Sequence, residues 1–128
     1  MTVSRPEDRI EEMLKAELIL SAEEDYADLA SYAREVADVL ELRGEDETRE
    51  HTFRLIAELL ENGYIRAGIP TAEGGFEAWD EDLVEVVAHI DSQWRRLGRT
   101  PELGEIVWFE TTEEGASYLN DHPSLITH

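Results

Sequence analysis

The feature that most constrains this chain is an abrupt change of hydrophobic period at Asn62-Gly63. Before it, apolar residues recur at helical spacing, with Phe53, Ile56, Ala57 and Leu60 expected to face inward from a helix over about 47–62. After it, Tyr64-Ile65-Arg66-Ala67-Gly68-Ile69 alternates as a strand does. A helix that stops at a glycine and passes directly into a strand must lay its apolar stripe against a sheet or another helix. The remaining segments extend that frame. Ser4-Arg5-Pro6-Glu7 is a capping box for a first helix over about 6–19, and Ser21-Ala22-Glu23-Glu24 is a second, opening an amphipathic helix that Gly44 is placed to end in a left-handed cap. Asp80, Glu81 and Asp82 crowd the start of a helix over about 80–97, with Leu83, Val87, Ile90, Trp94 and Leu97 inward. Glu105 to Thr111 is the most aromatic and branched run and reads as a second strand, followed by a short helix through Tyr118 and Leu119. The expected fold is mainly α with a small β-sheet (α+β), with four to five helices and two to three strands. A single domain spans 1–128, with its core over about 6–119 and a tail over 120–128 expected to fray.

Charge and cysteine usage then exclude several functions. In 128 residues there are 31 Asp or Glu, 11 Lys or Arg and no cysteine, a formal net charge of −20. Direct nucleic-acid binding is disfavoured, because counterion release by basic side chains supplies most of that affinity. The absence of cysteine removes thiol catalysis and thiolate metal sites, and it fits a cytoplasmic setting. No apolar stretch is long enough to enter a membrane or to form a signal-peptide core. There is no Gly-x-Ser-x-Gly elbow, phosphate loop, His-Glu-x-x-His motif or calcium loop, so no enzyme, cofactor or metal is expected. Glu85 and His89 share one helical face, but no further histidine completes a metal set, and an exposed pair is the simpler reading. Most acidic runs fall at helix starts, where complementing the helix dipole explains them.

Two stretches carry a resemblance. Leu55-Ile56-Ala57-Glu58-Leu59-Leu60-Glu61-Asn62-Gly63-Tyr64-Ile65 resembles the end of a recognition helix entering the first wing strand of winged helix-turn-helix regulators. Val107-Trp108-Phe109-Glu110-Thr111-Thr112-Glu113-Glu114-Gly115-Ala116 resembles the returning strand and the turn after it. The chain as a whole is also similar to a group of small proteins common in high-GC Gram-positive bacteria, with Phe76-Glu77-Ala78-Trp79 as the middle element. The resemblance implies a winged-helix-like topology, here with about forty residues and an inserted helix over 80–97 where a wing usually has only a few residues. It also implies a DNA-reading third helix, and there the residues disagree. The face that should carry basic or amide groups holds Glu47, Glu50, His51, Arg54, Glu58 and Glu61.

That mismatch directs attention to a protein partner. The sequence points to a non-enzymatic, acidic protein-binding module. Its partner would be a basic toxin, for which it would be an immunity protein, or a nucleic-acid-binding protein, for which it would mimic the charge of DNA. The expected contact residues are Glu47, Glu50, Glu58 and Glu61 on the third helix, with Asp80, Glu81 and Asp82 beside Phe76 and Trp79 as aromatic anchors. Trp94 and one of Trp108 and Phe109 are assigned to the core. The alternative is a winged-helix transcriptional regulator binding DNA as a homodimer. It requires Arg49, Arg54, Arg66, Arg95, Arg96 and Arg99 to converge on one side.

Overall fold

The computed structural model describes residues 6–126, with side chains from Arg9 onward, so the Ser4 cap expected for the first helix lies outside the described residues. Helix α1 covers Pro6–Glu24 and does not break at Ser21. Its apolar stripe is the reason: Leu14, Leu18 and Ala22 stand at i, i+4 and i+8 and are all buried, while Ser21 is exposed, so the second capping box never leaves the helix. The chain then turns into a two-residue strand, β1 (Ala27–Asp28), and helix α2 runs over Leu29–Leu40. Asp28 is the true cap of α2: the Ser31 N–H donates to its Oδ1 at 3.2 Å. Glu41, with φ 55°, takes the left-handed position at the end of α2 that Gly44 was expected to fill. Gly44 instead caps α3 (Glu45–Glu61), whose stop at Asn62-Gly63 lies where the period change placed it.

Strands β2 (Ile65–Pro70) and β3 (Phe76–Ala78) form a hairpin. Helix α4 (Leu83–Leu97), strand β4 (Trp108–Thr111), helix α5 (Glu113–Asp121) and a 3-10 turn over Pro123–Leu125 follow. The fold is mainly α with one small sheet, and that sheet has four antiparallel strands in the order β1-β4-β2-β3, more than the two or three expected. The two added strands are two and three residues long, too short for a periodic signal. Close approach in the hairpin needs Gly68, because a Cβ there would stand 2.2 Å from the Glu77 carbonyl oxygen.

The core lies between the sheet and helices α1, α2 and α3. Tyr32 stacks on Phe109 with ring centroids 5.0 Å apart, and its hydroxyl donates to the Leu18 carbonyl at 2.8 Å. Phe109 is buried and its neighbour Trp108 only half-buried, the opposition that adjacent strand residues require, and Trp94 is buried as assigned. Two helical faces are rotated from expectation. On α3 the buried residues are Thr48, Thr52, Leu55, Ile56 and Leu59, with Phe53, Ala57 and Leu60 half-buried. On α4 they are Val86, Ile90 and Trp94, and Leu83 is 40% exposed. The tail does not simply fray at 120: α5 reaches Asp121, and Leu125 folds back into the core.

Candidate functional site

Helix α3 begins with Glu45, Asp46 and Glu47, where the backbone N–H groups of the first turn favour anions. Glu47, Glu50 and Glu61 are exposed, as the acidic-face expectation required. Glu58 is not a free contact residue. It is half-buried, accepts from Lys15 Nζ at 3.1 Å and pairs with Arg54 at 3.5 Å, while Arg54 also reaches Glu11 of α1 at 2.6 Å. This cluster fastens α3 to α1. Burial disfavours the charge on Lys15, but the hydrogen bonds it donates to Glu12 and Glu58, with the charges of those carboxylates, outweigh it and raise the ammonium pKa above its ordinary value. The acidic face of α3 therefore consists of Glu47, Glu50 and Glu61.

The second group is only partly available. Phe76 is half-buried beneath Tyr26, with ring centroids 5.1 Å apart, and the Arg66 guanidinium lies 5.8 Å from its ring centre. Trp79 is half-buried against the core and stacks on His89 at 4.3 Å. Both rings are thus occupied within the fold rather than presented as anchors. Phe76 opens β3 and Trp79 directly follows that strand, and the aromatic partner of neither ring can be read from the sequence. Glu81 accepts from or pairs with His89 Nδ1 at 3.3 Å, and Asp82 caps α4 by accepting from the Glu85 N–H at 2.9 Å. The neighbouring Asp82, with lesser contributions from burial and Glu81, raises the Glu85 carboxyl above the ordinary range. Asp80 is exposed.

Glu47 and Glu50 lie apart from the Asp80-Glu81-Asp82 group. A small cleft lined by Glu45, Asp46, Arg49, Trp94, Gly98 and Arg99 joins the start of α3 to the end of α4. Asp80, Glu81 and Asp82 belong to the other end of α4, roughly 20 Å away for a helix of this length.

Arg49 and Arg99 share the cleft between α3 and α4, and Arg95 and Arg96 lie on the last turn of α4 beside it, but most of the arginines are engaged by carboxylates of the chain itself. Arg49 pairs with Asp46 at 3.4 Å, Arg66 with Glu110 at 2.5 Å, Arg95 with Asp91 at 3.0 Å and Arg99 with Glu105 at 2.8 Å. Arg99 lowers the Glu105 carboxyl below its ordinary value through this pairing, helped by the Glu102 backbone. Arg96 is exposed on the last turn of α4.

Two features escaped the sequence reading. An open groove of about 410 Å³ between α1 and α2 is lined by Ile10, Met13, Leu14, Glu17, Glu35 and Val39. Its stripe of residues was legible as helical spacing, but whether anything covered that stripe was not. A shallow cleft of about 400 Å³ on α5 brings Tyr64, Tyr118 and His122 beside Glu113, Glu114 and Asp121, with Tyr64 and Tyr118 ring centroids 4.7 Å apart. Among the described residues no helix is long and apolar enough to cross a membrane, and no three His, Asp or Glu side chains are grouped to hold a metal. No family model matches the chain, and no curated protein or solved structure proved similar to it.

Proposed function

We propose that the protein is a non-enzymatic, acidic binding module acting in the cytoplasm on a basic protein partner, either a toxin that it neutralises or a nucleic-acid-binding protein whose DNA site it imitates. The observation that carries this is the division of charge on α3. Glu47, Glu50 and Glu61 face solvent, whereas Arg49 and Arg54 on the same helix are held by carboxylates of the chain itself. With a net charge of −20, such a surface attracts cations and raises the rate at which a basic partner is met.

A winged-helix-like fold belongs to the same proposal. The order α1-β1-α2-α3-β2, with β4 returning between β1 and β2, supports it, and α4 then occupies the wing. In that arrangement α3 stands where a regulator reads DNA, and its exposed acids are the features a DNA mimic needs. The regulator alternative has less support, since Arg49, Arg54, Arg66, Arg95 and Arg99, five of the six arginines it requires, are held in ion pairs with carboxylates of the chain.

The test compares the native chain with a Glu47→Lys/Glu50→Lys/Glu61→Lys variant, both immobilised at low salt. Basic proteins retained by the native chain, released by added salt and absent from the variant are the expected result. Retention of the same proteins by the variant overturns the assignment to α3. Binding of duplex DNA by the native chain overturns the basic-partner reading itself.

A further inference from the structure

Residues Ile10, Met13, Leu14 and Glu17 occupy one stripe of α1 at i, i+3, i+4 and i+7, and Glu35 and Val39 one stripe of α2 at i and i+4. Together they line the groove between the two helices. Leu14 is fully buried at its floor, whereas Ile10 and Val39 remain 42% and 41% exposed along it. We propose that this groove docks a cationic amphipathic helix of a partner protein. Apolar side chains one turn apart seat between Ile10, Met13 and Val39, and the basic face of the helix meets the exposed Glu35. The proposal rests on the basic-partner reading but not on the α3 surface.

Charge decides between occupants. Among the described residues every charged side chain lining the groove is acidic, and Glu35 is exposed at its rim. A second copy of this chain would set that carboxylate against its own counterpart, on two molecules of net charge −20. A cationic helix turns the rim and the field of the whole chain into attractive contacts. Length agrees: from Ile10 to Glu17 the groove follows α1 for roughly 10 Å, two helical turns, the span over which a docked helix presents two or three anchors at i, i+3/i+4 and i+7. The groove also lies apart from the acidic face of α3, because Lys15, on the same helix as Ile10 and Met13, is turned toward Glu58 of α3.

The chain holds two methionines, one of them Met13, so methyl-labelled methionine gives a direct readout of the groove, with Met13→Leu assigning the signal. The probe is a synthetic Leu/Lys peptide of about four helical turns, with its leucines on one face. A second peptide of identical composition scatters the leucines around the helix. The first should bind saturably, shift the Met13 methyl resonance and lose affinity on the order of tenfold with Val39→Glu, since an anchor pocket is replaced by a charge. Val39 is exposed, so circular dichroism of the variant should be unchanged.

Equal binding of both peptides, an unmoved Met13 signal or indifference to Val39→Glu overturns the proposal. So does a dimer in sedimentation that Val39→Glu dissociates, because the occupant is then a second copy. The α3 triple variant separates the two surfaces. If it loses its basic partner yet keeps the peptide-induced Met13 shift, both surfaces stand. If it keeps the partner while the shift persists, the groove stands and the α3 assignment fails. If it abolishes peptide binding, the groove fails.

Discussion

Thr52 points its hydroxyl into the interior of α3 packing, fully buried and without a hydrogen-bond partner for Oγ1. A buried hydroxyl in that state costs about 1–3 kcal/mol by protein mutational data, and valine fills nearly the same volume without it. Thr52→Val should therefore raise stability by about 1 kcal/mol, read as a higher urea midpoint at unchanged slope. A lower midpoint would mean that the hydroxyl has a partner worth more than its desolvation. Tyr32 has the opposite character, because its hydroxyl is bonded to the Leu18 carbonyl and its ring stacked on Phe109. Burial pushes its pKa far above the ordinary value of 10.0. In the unfolded chain Tyr32 loses its proton as pH passes about 10, while the folded chain keeps it, so the unfolded state is favoured on the alkaline side. Its contribution is fully present below about pH 10 and falls above it. Tyr32→Phe should flatten the alkaline limb of the stability profile. A residual slope belongs in part to Tyr118, whose pKa burial and Glu12 also raise.

At the scale of elements, Asp28 joins three of them. Its Oδ1 accepts from the Ser31 N–H and hydroxyl at the start of α2, and its Oδ2 accepts from the Gly104 N–H at 2.7 Å in the loop before β4. It is 1% exposed, so both oxygens owe their satisfaction to these groups. Asp28→Ala removes a helix cap and leaves the Gly104 N–H without this acceptor, for a loss of about 2–4 kcal/mol in denaturant titration. Asp28→Asn keeps the capping oxygen and should recover about half of the loss. An alanine variant as stable as the native chain would show that the cap is dispensable. This residue also marks where sequence reasoning failed. A capping aspartate was present, but Ser21-Ala22-Glu23-Glu24 offered the stronger local pattern, and only the burial of Leu18, Ile19 and Ala22 carries α1 through it. Conversely, Gly63, with φ 74°, ends α3 where its neighbours' change of period required, because that stop depends on local backbone freedom.

Across the whole molecule, 31 acidic residues against 11 basic ones set up a net self-repulsion. Added neutral salt screens that repulsion, so the thermal midpoint should rise from low to moderate ionic strength. A falling midpoint would show that ion pairs such as Arg54 with Glu11 and Lys15 with Glu58 outweigh it. The α+β class, the helix-to-strand switch at residue 63, the burial of Trp94 and the acidity of α3 follow from the sequence alone. The change of period at residue 63 and the charge of α3 are properties of a few adjacent residues, whereas the role of Gly44 and the exact buried faces of α3 and α4 shifted with packing. Pairing is decided by packing too. Whether Glu58 faces a partner or Lys15, whether Phe76 and Trp79 lie exposed or beneath Tyr26 and beside His89, and whether the Ile10–Val39 stripe is covered depend on which distant segments meet. Tertiary structure made those choices, because a side chain's free energy at a surface is decided by neighbours that the chain brings from 40 or more positions away in pairs such as Lys15–Glu58 and Tyr26–Gly74.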